Sequence, residues 1–227
     1  MRVANARNLA AITAAVALIS PLSAPQLLAF PNSARSQGSV VWSETPLARP
    51  ALDKVIDRTT ALVAQSPLAE RRGETRHIFL TDGGWRWTWL ALQSRDGFAL
   101  SRGFTETIVV NRSSLANDRV VSGLRVRVDG KAVGGRRTLS GTLAHEFCHG
   151  MERRRFGLLV DLTKPTWLRE GYCDYVAQES SLSEAEVALL KSKRHSHPAL
   201  AYYEGRRKVA AILTRNGEDV DALFAAN

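Results

Sequence analysis

Residues 142–150 read Thr142-Leu143-Ala144-His145-Glu146-Phe147-Cys148-His149-Gly150. His145 and His149 are four apart, a spacing that on an α-helix turns both imidazoles to one face and within reach of a single metal ion. Glu146 sits on the same turn and is not needed as a ligand. Its carboxylate is therefore free to take the proton of a water held at the metal. A helix is credible here. Leu143, Ala144, Phe147 and Met151 supply an apolar face, and Ser140 or Thr142 is expected to cap its start. Arg153, Arg154 and Arg155 place positive charge where the helix dipole favours it, and Gly157 is a stop signal. Such a pattern also arises by chance on amphipathic helices, so the rest of the chain has to supply what it lacks.

A zinc site needs at least one more protein ligand, and a catalytic one keeps a position open for water or substrate. Downstream lies Lys164-Pro165-Thr166-Trp167-Leu168-Arg169-Glu170-Gly171-Tyr172-Cys173-Asp174-Tyr175-Val176-Ala177. Pro165 suits the first turn of a helix, with Trp167, Leu168, Tyr172, Tyr175 and Val176 as its apolar side. Glu170 lies on this second helix, which would pack against the first. Asp174 shares its face, where a carboxylate can accept the remote ring N–H of a metal-bound histidine.

His145-Glu146-x-x-His149, followed by Trp167-x-x-Glu170-Gly171 and Glu170-x-x-x-Asp174, resembles the gluzincin zinc metallopeptidases, the clan of the thermolysin-like and aminopeptidase-type enzymes. The likeness spans about residues 100–215 and is specific for the two helices. It implies Zn2+ as cofactor, His145, His149 and Glu170 as ligands, Glu146 as general base and Asp174 behind the ligands. It also implies an α+β, zincin-like core: a small mixed sheet and an active-site helix, followed by a helical C-terminal part. Aminopeptidase-type members place an oxyanion-binding tyrosine on a later helix, with glycine three residues on; Tyr202 and Gly205 reproduce that spacing. Tyr203 stays in play beside it, as do His195 and His197, since thermolysin-like members use a histidine. In this clan the strand before the active helix offers its edge to an extended peptide, and residues 107–111 and 124–128 are both candidates.

Cys148 and Cys173 are the only cysteines, one on each proposed ligand helix. In an oxidising compartment a disulfide would tie the helices together; the alternative is two buried thiols packed as small apolar groups.

The N-terminus reads as an export signal. Arg2 and Arg7 precede an apolar run from Leu9 to Ile19 and then Ser20-Pro21-Leu22-Ser23-Ala24, with cleavage near Ala24, Ala29 or Ala34. Residues 1–34 are thus expected to be signal peptide or N-terminal anchor, 35–50 linker, and 51–227 one metallopeptidase domain. Secretion or a periplasmic location follows, with membrane contact only through an uncleaved N-terminal segment. The formal net charge is +9. Subtracting Arg2, Arg7 and Arg35 leaves about +6, spread as scattered arginines rather than a basic-aromatic motif, which argues against nucleic acid as a partner.

Elsewhere, helices are expected from Asp53 to Ala64, from the capping box at Ser183–Glu186 to about Lys193, from Leu200 to Thr214 and from Asp219 to Ala225. Strands are expected at residues 77–80, 107–111 and 124–128, the last followed by an Asp129-Gly130 turn. The segment with Trp85, Trp87 and Trp89 fits either strand or helix. The expected function is hydrolysis of peptide or protein substrates, by an endopeptidase because no Gly-x-Met-Glu-Asn-type exopeptidase signature precedes the zinc helix. A degenerate zinc-binding member that binds without cleaving is the alternative.

Overall fold

The computed structural model describes residues 6–70, 75–121 and 124–226. Helix α1 (Ala6–Ser23) leads through a 3-10 turn at Pro25–Leu28 into strand β1 (Asn32–Ser36) and strand β2 (Ser39–Ser43). Arg2, assigned to the export signal, lies outside the described residues. Residues 35–50 are not a linker. β1 and β2 pair antiparallel around Gln37-Gly38, both at positive φ (45° and 83°), the geometry of a two-residue hairpin turn. The folded unit therefore starts well before residue 51, and a cut at Ala34 would fall inside β1.

Helix α2 (Arg49–Val63) follows, with Pro50 in its first turn and Leu52, Val55, Ile56, Leu62 and Val63 buried at helical spacing. Strand β3 (His77–Leu80) then precedes α3 (Trp85–Ala91), so the tryptophan-rich segment is a helix. Strands β4 (Ala99–Ser101) and β5 (Ile108–Val110) complete a five-stranded sheet of order β1-β2-β3-β5-β4. β2, β3 and β5 run parallel, and the outer strands antiparallel to their neighbours. β3 and β5 are buried on both faces, which explains their unbroken apolar runs. Ile78, Leu80, Ile108 and Val110 face the main core; Phe79 and Val109 face a second one with Trp87 and Leu90 of α3.

Short strands follow: β6 (Ser113–Ser114), β7 (Arg119–Val121), β8 (Val126–Val128), β9 (Lys131–Val133) and β10 (Arg136–Arg137). They form a three-stranded sheet, β10-β7-β6, and a separate β8–β9 hairpin around Asp129-Gly130. Neither strand proposed to offer an edge to a substrate does so from the main sheet: β5 is interior and β8 belongs to the hairpin. The strand left at that border is β4.

Helix α4 (Leu139–Phe156) carries the two histidines and runs through the core. Leu143, Ala144, Phe147, Cys148 and Met151 all belong to one buried cluster with α2 and the sheet. Its cap is Thr138, whose hydroxyl accepts from Gly141 N at 3.0 Å, not Ser140 or Thr142. Ser140 instead donates to Asp118 through its amide (2.7 Å) and hydroxyl (2.6 Å). Gly157 ends the helix at φ 94°, as its sequence position suggests. The remainder is helical: α5 (Val160–Thr163), α6 (Thr166–Val176), α7 (Glu184–Ser192), α8 (Ala199–Asn216) and α9 (Val220–Ala225). Pro165 caps α6 from just outside rather than entering its first turn, and the Ser183–Glu186 capping box is formed. The fold is mixed α+β, with a small mixed sheet and helices in the C-terminal part.

α6 and α8 touch backbone to backbone. A β-carbon on Gly171 would stand 2.8 Å from the Gly205 carbonyl oxygen and 2.9 Å from Arg206 N. One on Gly205 would stand 3.1 Å from the Trp167 carbonyl carbon. Only hydrogen fits at either position, and this crossing sets how α8 is rotated over Glu170.

Candidate metal centre

The i, i+4 spacing on α4 brings the His145 and His149 Nε2 atoms to 3.1 Å of one another. Glu170, reaching in from α6, puts Oε2 3.1 Å from His145 Nε2 and 3.6 Å from His149 Nε2. Ligands lying about 2.0–2.1 Å from one tetrahedral ion are separated from each other by roughly 3.3–3.4 Å. The three donors therefore fit a zinc-sized ion without rearrangement. The fit rests on donor chemistry and spacing.

The remote ring nitrogens are held as well. His145 Nδ1 is 2.8 Å from Asp174 Oδ1, and His149 Nδ1 is 3.1 Å from Glu152 Oε2. A carboxylate at Nδ1 keeps the proton there and leaves the Nε2 lone pair aimed at the common point. Asp174 is fully buried and is itself fixed by Arg137 Nη2 at 2.8 Å. Arg137 also meets Glu179, which accepts from the Thr138 hydroxyl at 2.7 Å. One polar chain thus runs from the cap of α4 through Glu179, Arg137 and Asp174 to the first histidine.

Three of these partners escape the sequence. Glu152 stands at i+3 from His149, a spacing that could have flagged it. Glu179 and Arg137 carry no local signal, because only the placement of β10 and the end of α6 brings them to Asp174. With the negative charge behind the imidazole removed and the ligands intact, Asp174→Asn and Glu152→Gln are each expected to weaken zinc binding about 10–100-fold, read by competition with a fluorescent chelator. Unchanged affinity in both would deny these carboxylates an orienting role.

Burial works against charge on both imidazoles, yet both pKa values end up raised. For His145 the hydrogen bonds to Asp174 and Glu170 outweigh burial; for His149, driven well above the ordinary value, Glu170 and Glu152 do so. Burial likewise opposes the charged form of Glu170, but the two imidazoles, His149 first, hold it well below the usual carboxylate range. Burial opposes Asp174 too, and Arg137 with His145 keeps it low. A divalent ion has to displace the histidine protons. Metal affinity is therefore expected to fall as pH drops, starting above the free-histidine pKa of 6.5. Titration calorimetry in buffers of differing ionisation heat should show proton release on binding. Affinity that stays flat from roughly pH 8 to pH 5 would contradict this.

Glu146 is buried and lines a cleft of about 350 Å³ with His145, His149 and Glu170. It makes no direct hydrogen bond or ion pair with a described residue. Tyr202 lines the same cleft. Burial, then the carboxylates of Glu170, Asp174 and Glu146, push its phenol pKa up, so the hydroxyl stays protonated as a donor. The other donor candidates are elsewhere. Tyr203 packs in a separate cluster with Val128, Val133 and Leu190. His197 is buried beside Gly134 and accepts from Ala199 N, and His195 is exposed. The opposite wall of the cleft is the β4 segment, Phe98 to Ser101.

Cys148 and Cys173 are joined as a disulfide, with Cα atoms 5.3 Å apart. The bond links α4 to α6 directly under the ligands. A further cluster of donors, Cys148, Glu152 and Cys173, has its sulfurs committed to that bond.

Comparison with family models, with curated proteins and with solved structures returned no match. Any assignment of function therefore rests on the site's own geometry.

Proposed function

We propose that the chain is an exported, zinc-dependent metallopeptidase of gluzincin type, acting as an endopeptidase on peptide or protein substrates. The supporting observation is the convergence of His145, His149 and Glu170 on one point beside an unpaired Glu146. Zinc at that point would polarise a scissile carbonyl and make a water acidic enough to attack it. Glu146 takes the water's proton and passes it to the leaving amine. The Tyr202 hydroxyl donates to the carbonyl oxygen as negative charge builds on it. Asp174 and Glu152 hold the two imidazoles in register throughout. β4, paired only with β5 among the described residues, lends its free edge to an extended peptide backbone, which gives hold with little demand on side chains.

The test is metal analysis of the purified protein together with digestion of unfolded casein. One zinc per chain is expected, with cleavage lost to a chelator and restored by Zn2+. Zinc bound at that stoichiometry without cleavage of casein or of a mixed peptide library would favour a protein that binds rather than cuts. Absence of zinc binding would remove the reading altogether.

A further inference from the structure

α3 is apolar on two sides. Trp87, Leu90 and Ala91 face the sheet, while Trp85 and Trp89, with Leu92 just after the helix, face out at 60%, 38% and 46% exposure. The outward set falls at i, i+4 and i+7, one stripe of the helix surface. Pro21, near the end of α1, and Leu28, in the 3-10 turn that follows it, come alongside to complete a shallow groove of about 660 Å³. Arg95 stands on its rim, and no acidic side chain lines it. The Arg95 guanidinium is exposed and forms no ion pair with a described residue. Leu27, Val16 and Ile19, on the turn and on α1, are exposed as well.

Two tryptophans on an outer surface need a partner that takes the ring's apolar body and its N–H together. The headgroup–acyl boundary of a bilayer does so. Of the two arginines beside the rings, Arg86 lies 4.6 Å over Trp85 and is paired with Glu44, which leaves Arg95 to meet a lipid phosphate. An excess of positive charge over the whole chain, +9, favours an anionic surface. No described helix is long and apolar enough to cross a membrane, and surface docking needs none. We propose that this face seats the protein on an anionic phospholipid bilayer, with Trp85, Trp89 and Leu92 in the interface and Arg95 on a headgroup phosphate. Where the N-terminal segment is retained as an anchor, the exposed Val16 and Ile19 of α1 extend that contact. Ser94, Gly97 and Phe98, next to Arg95 in the chain, line the metal-centre cleft. The cleft would thus open close to the lipid surface. The docking itself does not depend on zinc or on hydrolysis.

The experiment sediments the full chain with vesicles of equal parts phosphatidylglycerol and phosphatidylcholine, alongside pure phosphatidylcholine vesicles. Co-sedimentation with the anionic vesicles is expected, weakened by added salt, with quenching of tryptophan emission by brominated acyl chains. Trp85→Ser/Trp89→Ser should weaken binding about tenfold or more. Arg95→Gln should do so about fivefold. Circular dichroism checks the folding of each variant; should the double variant fail to fold, Arg95→Gln and the bromolipid quenching decide. Three results overturn the proposal: no sedimentation of the parent chain, binding left unchanged by the substitutions so that α1 alone accounts for it, or a Trp85/Trp89-dependent dimer without vesicle binding.

Discussion

Glu146→Gln is expected to reduce peptide hydrolysis by about a hundred- to ten-thousand-fold while one zinc stays bound per chain. The amide keeps the carboxylate's shape but cannot accept the proton. Because Glu146 contributes nothing to the three converging donors, metal content should not change. The same residue makes no hydrogen bond or ion pair with a described side chain, so the fold should tolerate the exchange with little loss of stability. The measurement pairs kcat/KM on a cleaved peptide with zinc stoichiometry on the same preparation. Loss of zinc with activity would mean that Glu146 is structural to the metal centre. Retained activity would mean that some other group takes the proton.

Gly205→Ala is expected to cost at least about 3 kcal/mol, the upper part of the range for overpacking, because the obstacle is helix backbone rather than a movable side chain. For a chain of this length that corresponds to a fall of roughly 6–12 °C in the thermal midpoint. The relief available is for α8 to move away from α6, and that also carries Tyr202 away from Glu170. Gly205→Ala should therefore lower kcat in the fraction that remains folded at low temperature, more than its effect on zinc content would predict. Gly103→Ala serves as the control: a β-carbon there meets only Arg153 Nε, at 4.0 Å, and stability should be unaffected. A neutral Gly205→Ala would show that the two helices are not held at this separation.

What could be read from the chain, and what could not, divides by locality. The spacing of His145 and His149 is decided within one turn of helix, and Glu170 and Asp174 within one turn of the next, so both pairs are visible in the sequence. Glu152 is equally local, yet it matters only because the His149 ring turns its Nδ1 toward it, which depends on what lies on the other side. The choice among Tyr202, Tyr203 and the two histidines was open in the sequence because the Gly171–Gly205 crossing fixes the rotation of α8. Arg137 reaches Asp174 from β10, and Glu179, just past the end of α6, acts on it only through Arg137. Residues 35–50 read as a linker because serine, glycine and proline outnumber the apolar run Val40-Val41-Trp42 that pairs with β3. The β4 strand carries no sequence signal for a related reason, being three residues long and held in place by pairing with β5.

The bond between Cys148 and Cys173 has a bearing on when the centre becomes rigid. A cross-link closing 25 residues stabilises a fold by about 3.5 kcal/mol on chain entropy alone. Here the closed loop contains the whole passage from one ligand-bearing helix to the other. While thiols stay reduced, that passage keeps more freedom, and Glu170 is held against the histidines by packing and charge only. Oxidation removes the freedom in a single covalent event. The reduced chain is therefore expected to be a poorer metal chelator than the oxidised one.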